Sequence, residues 1–182
     1  MNIVLYGDSH LARFGKEAIL LLEEHIPGST VFNCSAGGFT SEDGARRADY
    51  IASLRPDLVV FSYGGNDVAP WKQRVSKPDY LQNMTKIFEA FAGAKKIIFF
   101  SPDAVVADVA QRKQYNDSLH DYRSELVPLC ASHDIPILRA NQVLSPLGDT
   151  IHVEDGIHMN EAAYRLFIKA LADSMKTLAS RS

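Results

Sequence analysis

The chain's length, composition and charge exclude several classes of protein. Its 182 residues, 46% of them hydrophobic and 9% aromatic, fit one domain over residues 1–182 with a packed core. The net charge is −3 and no segment is rich in Lys and Arg, which argues against nucleic-acid binding. No apolar run approaches the ~20 residues that a membrane span needs, so we expect no stable membrane association.

The start of the chain and its cysteines indicate a compartment. Met1 leads directly into an apolar run without a cleavable leader, so we expect a cytoplasmic protein. Cys34 and Cys130 are too few for a disulfide scaffold and lack Cys-x-x-Cys spacing. We expect buried free thiols, with one bridge between them as the alternative.

The first half of the chain alternates apolar runs with helical patterns. Strands are predicted at 3–6, 30–33 and 58–62, separated by helices that start at Leu11 and Glu42. The first helix should end at Pro27-Gly28, and the second near Leu54. The run 58–62 is apolar throughout its first four residues, which suits a central strand buried on both faces.

The second half continues the alternation. We predict a helix at 78–91, a strand at 97–100, a long or broken helical region at 110–133 and a strand at 135–138. An irregular segment, 139–158, follows, and Asn160 should cap the last helix. Alternating strands and helices imply an α/β fold with a parallel sheet, whose ligands bind beyond the carboxyl ends of the strands.

Three polar motifs fall at those carboxyl ends or shortly before a helix. Gly-Asp-Ser-His at 7–10 follows the first strand, Gly-Gly-Asn-Asp at 64–67 follows the third, and Asp-Gly-Ile-His at 155–158 precedes the last helix. An isolated Gly-Asp-Ser would more often be a helix cap than a nucleophile. The combination supplies a serine, an amide donor, a base and a carboxylate.

This set, in this order, resembles the GDSL, or SGNH, hydrolases of esters and thioesters, and the resemblance covers nearly the whole chain. It implies a flavodoxin-like three-layer α/β/α sandwich with a five-stranded parallel sheet in the order 2-1-3-4-5. The segment 139–158 must then cross about three strand spacings, or ~14 Å, to reach the first strand. One departure is His10, which stands where an apolar residue usually follows the serine.

The resemblance assigns Ser9, His158 and Asp155 to a catalytic triad. A serine hydroxyl needs a neighbouring base, and histidine has the unperturbed pKa closest to that task. A turn at Gly156 would fold the Asp155 carboxylate back onto one nitrogen of His158, leaving the other for Ser9.

The same resemblance supplies an oxyanion hole from the N–H groups of Ser9 and Gly38 and the side-chain amide of Asn66. Gly37 is adjacent to Gly38, and the spacing from Asn33 to Thr40 favours Gly38.

Other polar and aromatic residues near these motifs have less specific roles. We interpret Asp8 and Asp67 as carboxylates that order loops. His10, Trp71 and His152 are candidates for substrate contact. The alternatives are local packing for His10 and Trp71, and solvent exposure for His152.

We therefore expect a serine esterase that needs no cofactor or metal and acts on small acyl esters, acetyl or short-chain, with O-acetylated carbohydrate among the candidates. Acyl thioesters and lysophospholipids are alternatives within the family. A metallophosphoesterase would use Asp8, His10, Asp67, His152 and His158 as ligands, but its Asn-His pair and His-x-His are missing. A non-catalytic flavodoxin-like binding module would leave the three motifs unexplained. The sequence does not specify an oligomeric state.

Overall fold

A computed structural model describes residues 1–180, and its centre is a five-stranded sheet. The strands are β1 (Asn2–Gly7), β2 (Thr30–Asn33), β3 (Leu58–Ser62), β4 (Lys95–Phe100) and β5 (Ile137–Arg139). All neighbouring strands are parallel and the order is 2-1-3-4-5. The predicted flavodoxin-like α/β class is confirmed.

Helices cover both faces of the sheet. They are α1 (Ser9–Ala12), α2 (Lys16–His25), α3 (Ser41–Ala52), α4 (Gly65–Val68), α5 (Lys77–Ala90), α6 (Val109–Ser132), α7 (Ala140–Val143) and α8 (Glu161–Ala179). Successive residues of a strand point to opposite faces. Ile3 and Leu5 therefore pack in the core beneath α2 and α8, while Val4 and Tyr6 pack on the side of α3, α5 and α6. No helix of residues 1–180 is long and apolar enough to cross a membrane.

Strand β3 occupies the central position that its composition predicts. It pairs with β1 on one side and β4 on the other, and all five of its residues are buried. A strand covered on both faces gains from apolar side chains at every position. The exits of β1, β3 and β4 consequently lie next to one another at the carboxyl edge of the sheet.

The helical pattern that begins at Leu11 forms two helices instead of one. Between α1 and α2 the chain turns, so that Phe14 packs edge-on against Tyr164 and Phe167 of α8. The Asn33 amide donates to the carbonyls of Leu11 and Phe14, at 2.9 and 3.2 Å. Carbonyls at a helix end need such donors. A side chain from β2 thus stabilises a break that local periodicity does not reveal.

Helix α6 is continuous, whereas the sequence predicts either a long or a broken helical region at 110–133. It runs without a break from Val109 to Ser132 although Pro128 lies inside it. Leu126 and Cys130 belong to the core on the α3 and α5 side of the sheet, whereas Tyr115 and Leu119 pack in a smaller cluster with Val68 of α4. Cys130 and the half-buried Cys34 are both free thiols.

The segment between β5 and His158 is more ordered than expected. It contains α7 and a 3-10 helix at Ser145–Leu147, and Ala140 and Leu144 are buried beside α8. Packing against the core offsets the entropy of ordering a long connection. The crossing therefore begins with anchored helical turns, and only the part near His158 is irregular.

The backbones of β1 and β3 approach each other closely at Gly7. A Cβ placed there would lie 2.4 Å from the carbonyl oxygen of Ser62 and 2.9 Å from its nitrogen. Only glycine accommodates this approach, because the neighbouring atoms belong to a backbone that is itself held in the sheet.

We expect Gly7→Ala to lower the free energy of unfolding by about 1–3 kcal/mol or more, as overpacking in a core does. Urea unfolding measures the loss. Gly93→Ala is the matched control, since a Cβ there meets no atom within 4 Å. Equal stability of the two variants would contradict the close approach.

Candidate active site

The turn between β1 and α1 places Ser9 at the edge of the sheet. The Asp8 N–H donates to the Ser62 carbonyl at 2.9 Å, which holds the turn against β3. The Asp8 carboxylate caps α1 by accepting the His10 N–H at 3.0 Å. Ser9 is the first residue of α1 and is partly exposed. Its hydroxyl is thus fixed in position while remaining accessible.

A tight turn joins Asp155 to His158. One carboxylate oxygen of Asp155 accepts the N–H groups of Ile157 and His158 at 2.8 and 2.9 Å, and the other lies 2.6 Å from His158 Nδ1. Gly156 has φ +67° and packs so closely on the backbone of Val106 that a Cβ would lie 2.8 Å from its nitrogen. The turn therefore requires glycine for both conformation and space.

The structure brings this turn to Ser9, so that His158 Nε2 lies 2.8 Å from Ser9 Oγ. In the tautomer that satisfies both contacts, Nδ1–H donates to Asp155 and Nε2 accepts the serine proton. Burial raises the pKa of Asp155, but hydrogen bonds from His158 and Ile157 outweigh it and lower that pKa to about 2. The carboxylate is therefore ionised at neutral pH, as its partner ring requires.

Arg13 is a neighbour of the predicted triad, and no sequence motif points to it. Its Nη2 lies 3.7 Å from the same Asp155 oxygen that contacts His158, and both side chains are about half exposed, at 47% and 40%. An exposed pair of this kind contributes little to stability. No local signal connects Arg13 with residue 155, because the contact exists only after the crossing segment has docked.

Two of the proposed oxyanion donors, Gly38 and Asn66, lie close together, Gly38 in the turn before α3 and Asn66 in α4. The Asn66 amide donates to the Phe39 carbonyl at 3.0 Å, which places it beside Gly38. That bond uses one of the two amide hydrogens. Within residues 1–180, the N–H groups of Ser9 and Gly38 donate to no protein acceptor. Donors free of internal partners are what a developing oxyanion needs.

The buried carboxylate of Asp67 connects the start of α3 with the start of α4. It accepts the N–H of Ser41 at 3.0 Å and that of Gly64 at 3.2 Å. Asn83 donates in turn to the Ser41 hydroxyl at 3.1 Å. These bonds offset the cost of burying a carboxylate. Asp67 thus fixes the start of α4, the helix that carries Asn66, as expected for an ordering residue.

The structure corrects the expectation of substrate contact at His10. Its side chain is buried, with its ring centroid 5.3 Å from that of His158 and 6.1 Å from that of Phe99. Burial lowers its pKa to about 3, so the ring is neutral and packs as an apolar group would. His10 supports the position of the His158 ring from behind.

The other two substrate-contact candidates differ in exposure. Trp71 is half exposed and stacks on Tyr115, with 5.6 Å between ring centroids. His152 is half-buried; both ring nitrogens are enclosed and have no hydrogen-bond partner in the described chain. Burial lowers the pKa of His152. Trp71 keeps a face available to a ligand. Solvent exposure is the alternative prediction for His152, and its enclosed ring nitrogens do not agree with that alternative.

The residues considered for a metal site do not assemble. Among residues 1–180, His, Cys, Asp and Glu side chains form no group of three or more that could hold a metal ion. Asp67 is already occupied by backbone donors of α3 and α4. The ligand set that a metallophosphoesterase would need is therefore not provided by the side chains of this part of the chain.

Comparisons with known proteins identify the family. The model of the GDSL-like lipase/acylhydrolase family matches residues 6–166, most of the chain. Comparison with curated proteins gave no match. The chain belongs to the GDSL-like lipase/acylhydrolase family. It is accordingly a serine hydrolase that acts on esters.

Solved structures share the fold. A lipase/acylhydrolase from Enterococcus faecalis has a TM-score of 0.78 at 21% identity, covering 97% of this chain and 95% of its own. An inhibitor-bound aryl esterase from M. smegmatis has a TM-score of 0.77 at 19% identity, covering 97% and 99%. A GDSL-like lipase from Bacteroides thetaiotaomicron has a TM-score of 0.76 at 16% identity, covering 97% and 88%.

The protonation of Asp8 should make stability depend on pH. Burial raises the pKa of this carboxyl from 3.8 to about 7. Between those values the native state holds a proton that the unfolded chain has released, so the free energy of unfolding falls as pH rises. Asn has no such proton and keeps an oxygen that can accept the His10 N–H.

We expect the free energy of unfolding of Asp8→Asn, relative to wild type, to increase from about pH 4 to about pH 7 and then to level off. Urea unfolding at a series of pH values measures the difference. Parallel pH curves for the two proteins would contradict a raised pKa at Asp8.

Proposed function

We propose that the protein hydrolyses small acyl esters through an acyl-enzyme on Ser9, with His158 as the base and Asp155 as its orienting carboxylate. The single observation that carries this proposal is the chain of two contacts, Asp155 Oδ2 to His158 Nδ1 at 2.6 Å and His158 Nε2 to Ser9 Oγ at 2.8 Å. Both distances are within hydrogen-bonding range, so a proton can pass from serine to imidazole.

In acylation, Ser9 Oγ attacks the ester carbonyl carbon while His158 Nε2 takes the hydroxyl proton. The negative charge that develops on the carbonyl oxygen is stabilised by the N–H groups of Ser9 and Gly38 and by the Asn66 amide. His158 then returns its proton to the alcohol oxygen as the carbon–oxygen bond breaks. The products are the free alcohol and an ester on Ser9.

In deacylation, His158 removes a proton from a water molecule that attacks the acyl carbon. The same donors stabilise the second oxyanion, and the proton passes to Ser9 Oγ as the acyl group leaves as a carboxylic acid. Asp155 remains ionised throughout and stabilises the imidazolium formed in each half. No cofactor enters this scheme.

The surroundings of Ser9 support a small substrate. The irregular connections near it, at 69–76 and 101–108, are short, and residues 1–180 contain no long apolar insertion over the site. The half-exposed Trp71 offers a flat apolar face, which suits a sugar or aryl group. We therefore favour acetyl and short-chain esters, including O-acetylated carbohydrate, over acyl thioesters and lysophospholipids.

We expect p-nitrophenyl acetate and butyrate to be hydrolysed with a higher kcat/KM than p-nitrophenyl octanoate. The physical reason is that a short acyl group is accommodated without a long apolar channel. Initial rates at 405 nm, a wavelength that detects p-nitrophenolate, give the comparison. A preference for octanoate would contradict the small-acyl assignment.

The same assay tests the nucleophile. Ser9→Ala should reduce turnover by at least about 10³-fold, because only binding and oxyanion stabilisation remain. Ser132→Ala is the matched control, since its exposed hydroxyl caps the end of α6. Addition of EDTA should leave the wild-type rate unchanged; metal-dependent turnover, or an active Ser9→Ala, would overturn the mechanism.

A phosphonate ester should label Ser9 covalently, in a step for which the His158 ring acts as the base. Only the neutral ring can accept the serine proton. His158→Ala should abolish labelling, whereas Asp155→Ala should slow it, since the carboxylate orients the ring and stabilises the imidazolium that forms. Intact-protein mass spectrometry follows the rate, and peptide mapping locates the label.

The double variant distinguishes a triad from two independent residues. Adding Asp155→Ala to His158→Ala should cost little more, because residues that act as a unit are strongly non-additive. His25→Ala, which removes a histidine at the end of α2, should label at the wild-type rate. Independent losses, or a label on another residue, would leave Asp155 with only a structural role in its turn.

A further inference from the structure

A cavity lies at the edge of the sheet formed by β5, between α6 and the end of that strand. Its volume is about 540 Å³, within the range of small-molecule sites. Its wall combines cationic, polar and apolar side chains: Phe100, Ser101, His120, Arg123, Val127 and Arg139. None of these belongs to the proposed triad or oxyanion hole.

Arg123 is a buried cation with an unused donor. The residue is 8% exposed, and its Nη2 donates to the Ser101 hydroxyl at 2.8 Å. Its Nε is buried and has no hydrogen-bond partner within the described residues. An unpaired buried donor on a charged group is costly. The part of the side chain that remains exposed, 10%, lines the cavity, where a ligand oxygen would stabilise the guanidinium charge.

Arg139 adds a second guanidinium to the same aromatic ring. The Arg123 and Arg139 groups lie 5.0 and 5.1 Å from the centroid of Phe100. Cation–π contacts of this kind hold both groups in place. Two like charges at one ring repel each other, and an anion between or beside them offsets this repulsion.

The nearby carboxylate compensates for only part of this charge. Asp103 lies 3.9 Å from Arg123 Nη1 and 2.8 Å from His120 Nε2. Within residues 1–180, Arg139 has no Asp or Glu partner within 4.0 Å. The cavity therefore carries at least one positive charge in excess, which matches one negative charge on a ligand.

We propose that this cavity binds a small carboxylate with an apolar body. Planar guanidinium groups bind carboxylates through paired N–H donors, and Arg123 and Arg139 supply two of them. Phe100 and Val127 provide apolar surface for the body of the ligand. A bare inorganic anion would use the charges and leave this surface unfilled.

The site is separate from the chemistry proposed at Ser9. Segment 101–106 lies between them: Ser101 contributes to the cavity, whereas the Val105 N–H donates to the Gly156 carbonyl at 2.6 Å. Binding in the cavity uses no triad residue. It can therefore be measured on Ser9→Ala protein, so that its failure is distinguishable from failure of the proposed hydrolysis.

Titration of benzoate into the Ser9→Ala protein, followed by calorimetry and by backbone amide NMR, tests the proposal. Benzoate should bind and shift the resonances of Ser124 and of residues 139–142. Benzamide, its neutral analogue, and inorganic phosphate should each bind at least about tenfold more weakly. Equal binding of benzamide or phosphate would overturn the carboxylate assignment. Shifts confined to 155–158 would place the benzoate at the triad and would likewise overturn it.

Variants of Arg139 test whether its guanidinium binds the carboxylate of benzoate. Added to Ser9→Ala, Arg139→Gln should weaken benzoate binding by about tenfold or more, and Arg139→Lys by less, because Lys keeps the charge without the paired donors. Arg112→Gln is the matched control; Arg112 lies on α6 and has no side-chain hydrogen bond or ion pair in the described chain. Unchanged affinity in Arg139→Gln, or no binding at about 10 mM benzoate, would refute the site. If Arg139→Gln does not fold, the resonance shifts that benzoate causes in the Ser9→Ala protein decide whether the ligand binds in this cavity.

Discussion

The close approach of β1 and β3 at Gly7 is the constraint on which the site depends. Because a backbone atom of Ser62 occupies the space of a side chain, Gly7 cannot move away without separating the two strands. The next residue, Asp8, then donates from its N–H to the same carbonyl, and Ser9 follows at the first position of α1. The position of the proposed nucleophile is thus set by sheet pairing rather than by a flexible loop.

Two buried carboxylates extend this rigidity to the neighbouring loops. Asp8 orders the Ser9 turn, and Asp67 holds the start of α3 against the start of α4, which carries Asn66. Both groups have raised pKa values because burial disfavours their charge. Stability is therefore given up for fixed geometry, which is what oxyanion stabilisation requires, since its donors must be in place before charge develops.

The histidines divide into roles according to burial and partners. His158 has a carboxylate on one nitrogen and a hydroxyl on the other, so its ring can take and return a proton. His10 lies behind it without a carboxylate partner, and burial lowers its pKa to about 3. A neutral ring adds no positive charge beside the imidazolium that the proposed mechanism forms on His158. The two histidines therefore differ: His158 has the partners that the proposed base needs, and His10 packs behind it.

The sequence by itself determined the sheet order, through the family resemblance, and the local part of the site. The Asp155–His158 turn follows from a spacing of three residues and a glycine between them, so short-range geometry fixes it. The strand positions follow from apolar runs that must be buried. Only the tertiary structure decided the break before Gly15, the burial of His10 and the contact of Arg13 with Asp155. These features depend on contacts between side chains that are far apart in the sequence. A local sequence pattern does not show which distant side chains come into contact after the helices have packed on the sheet.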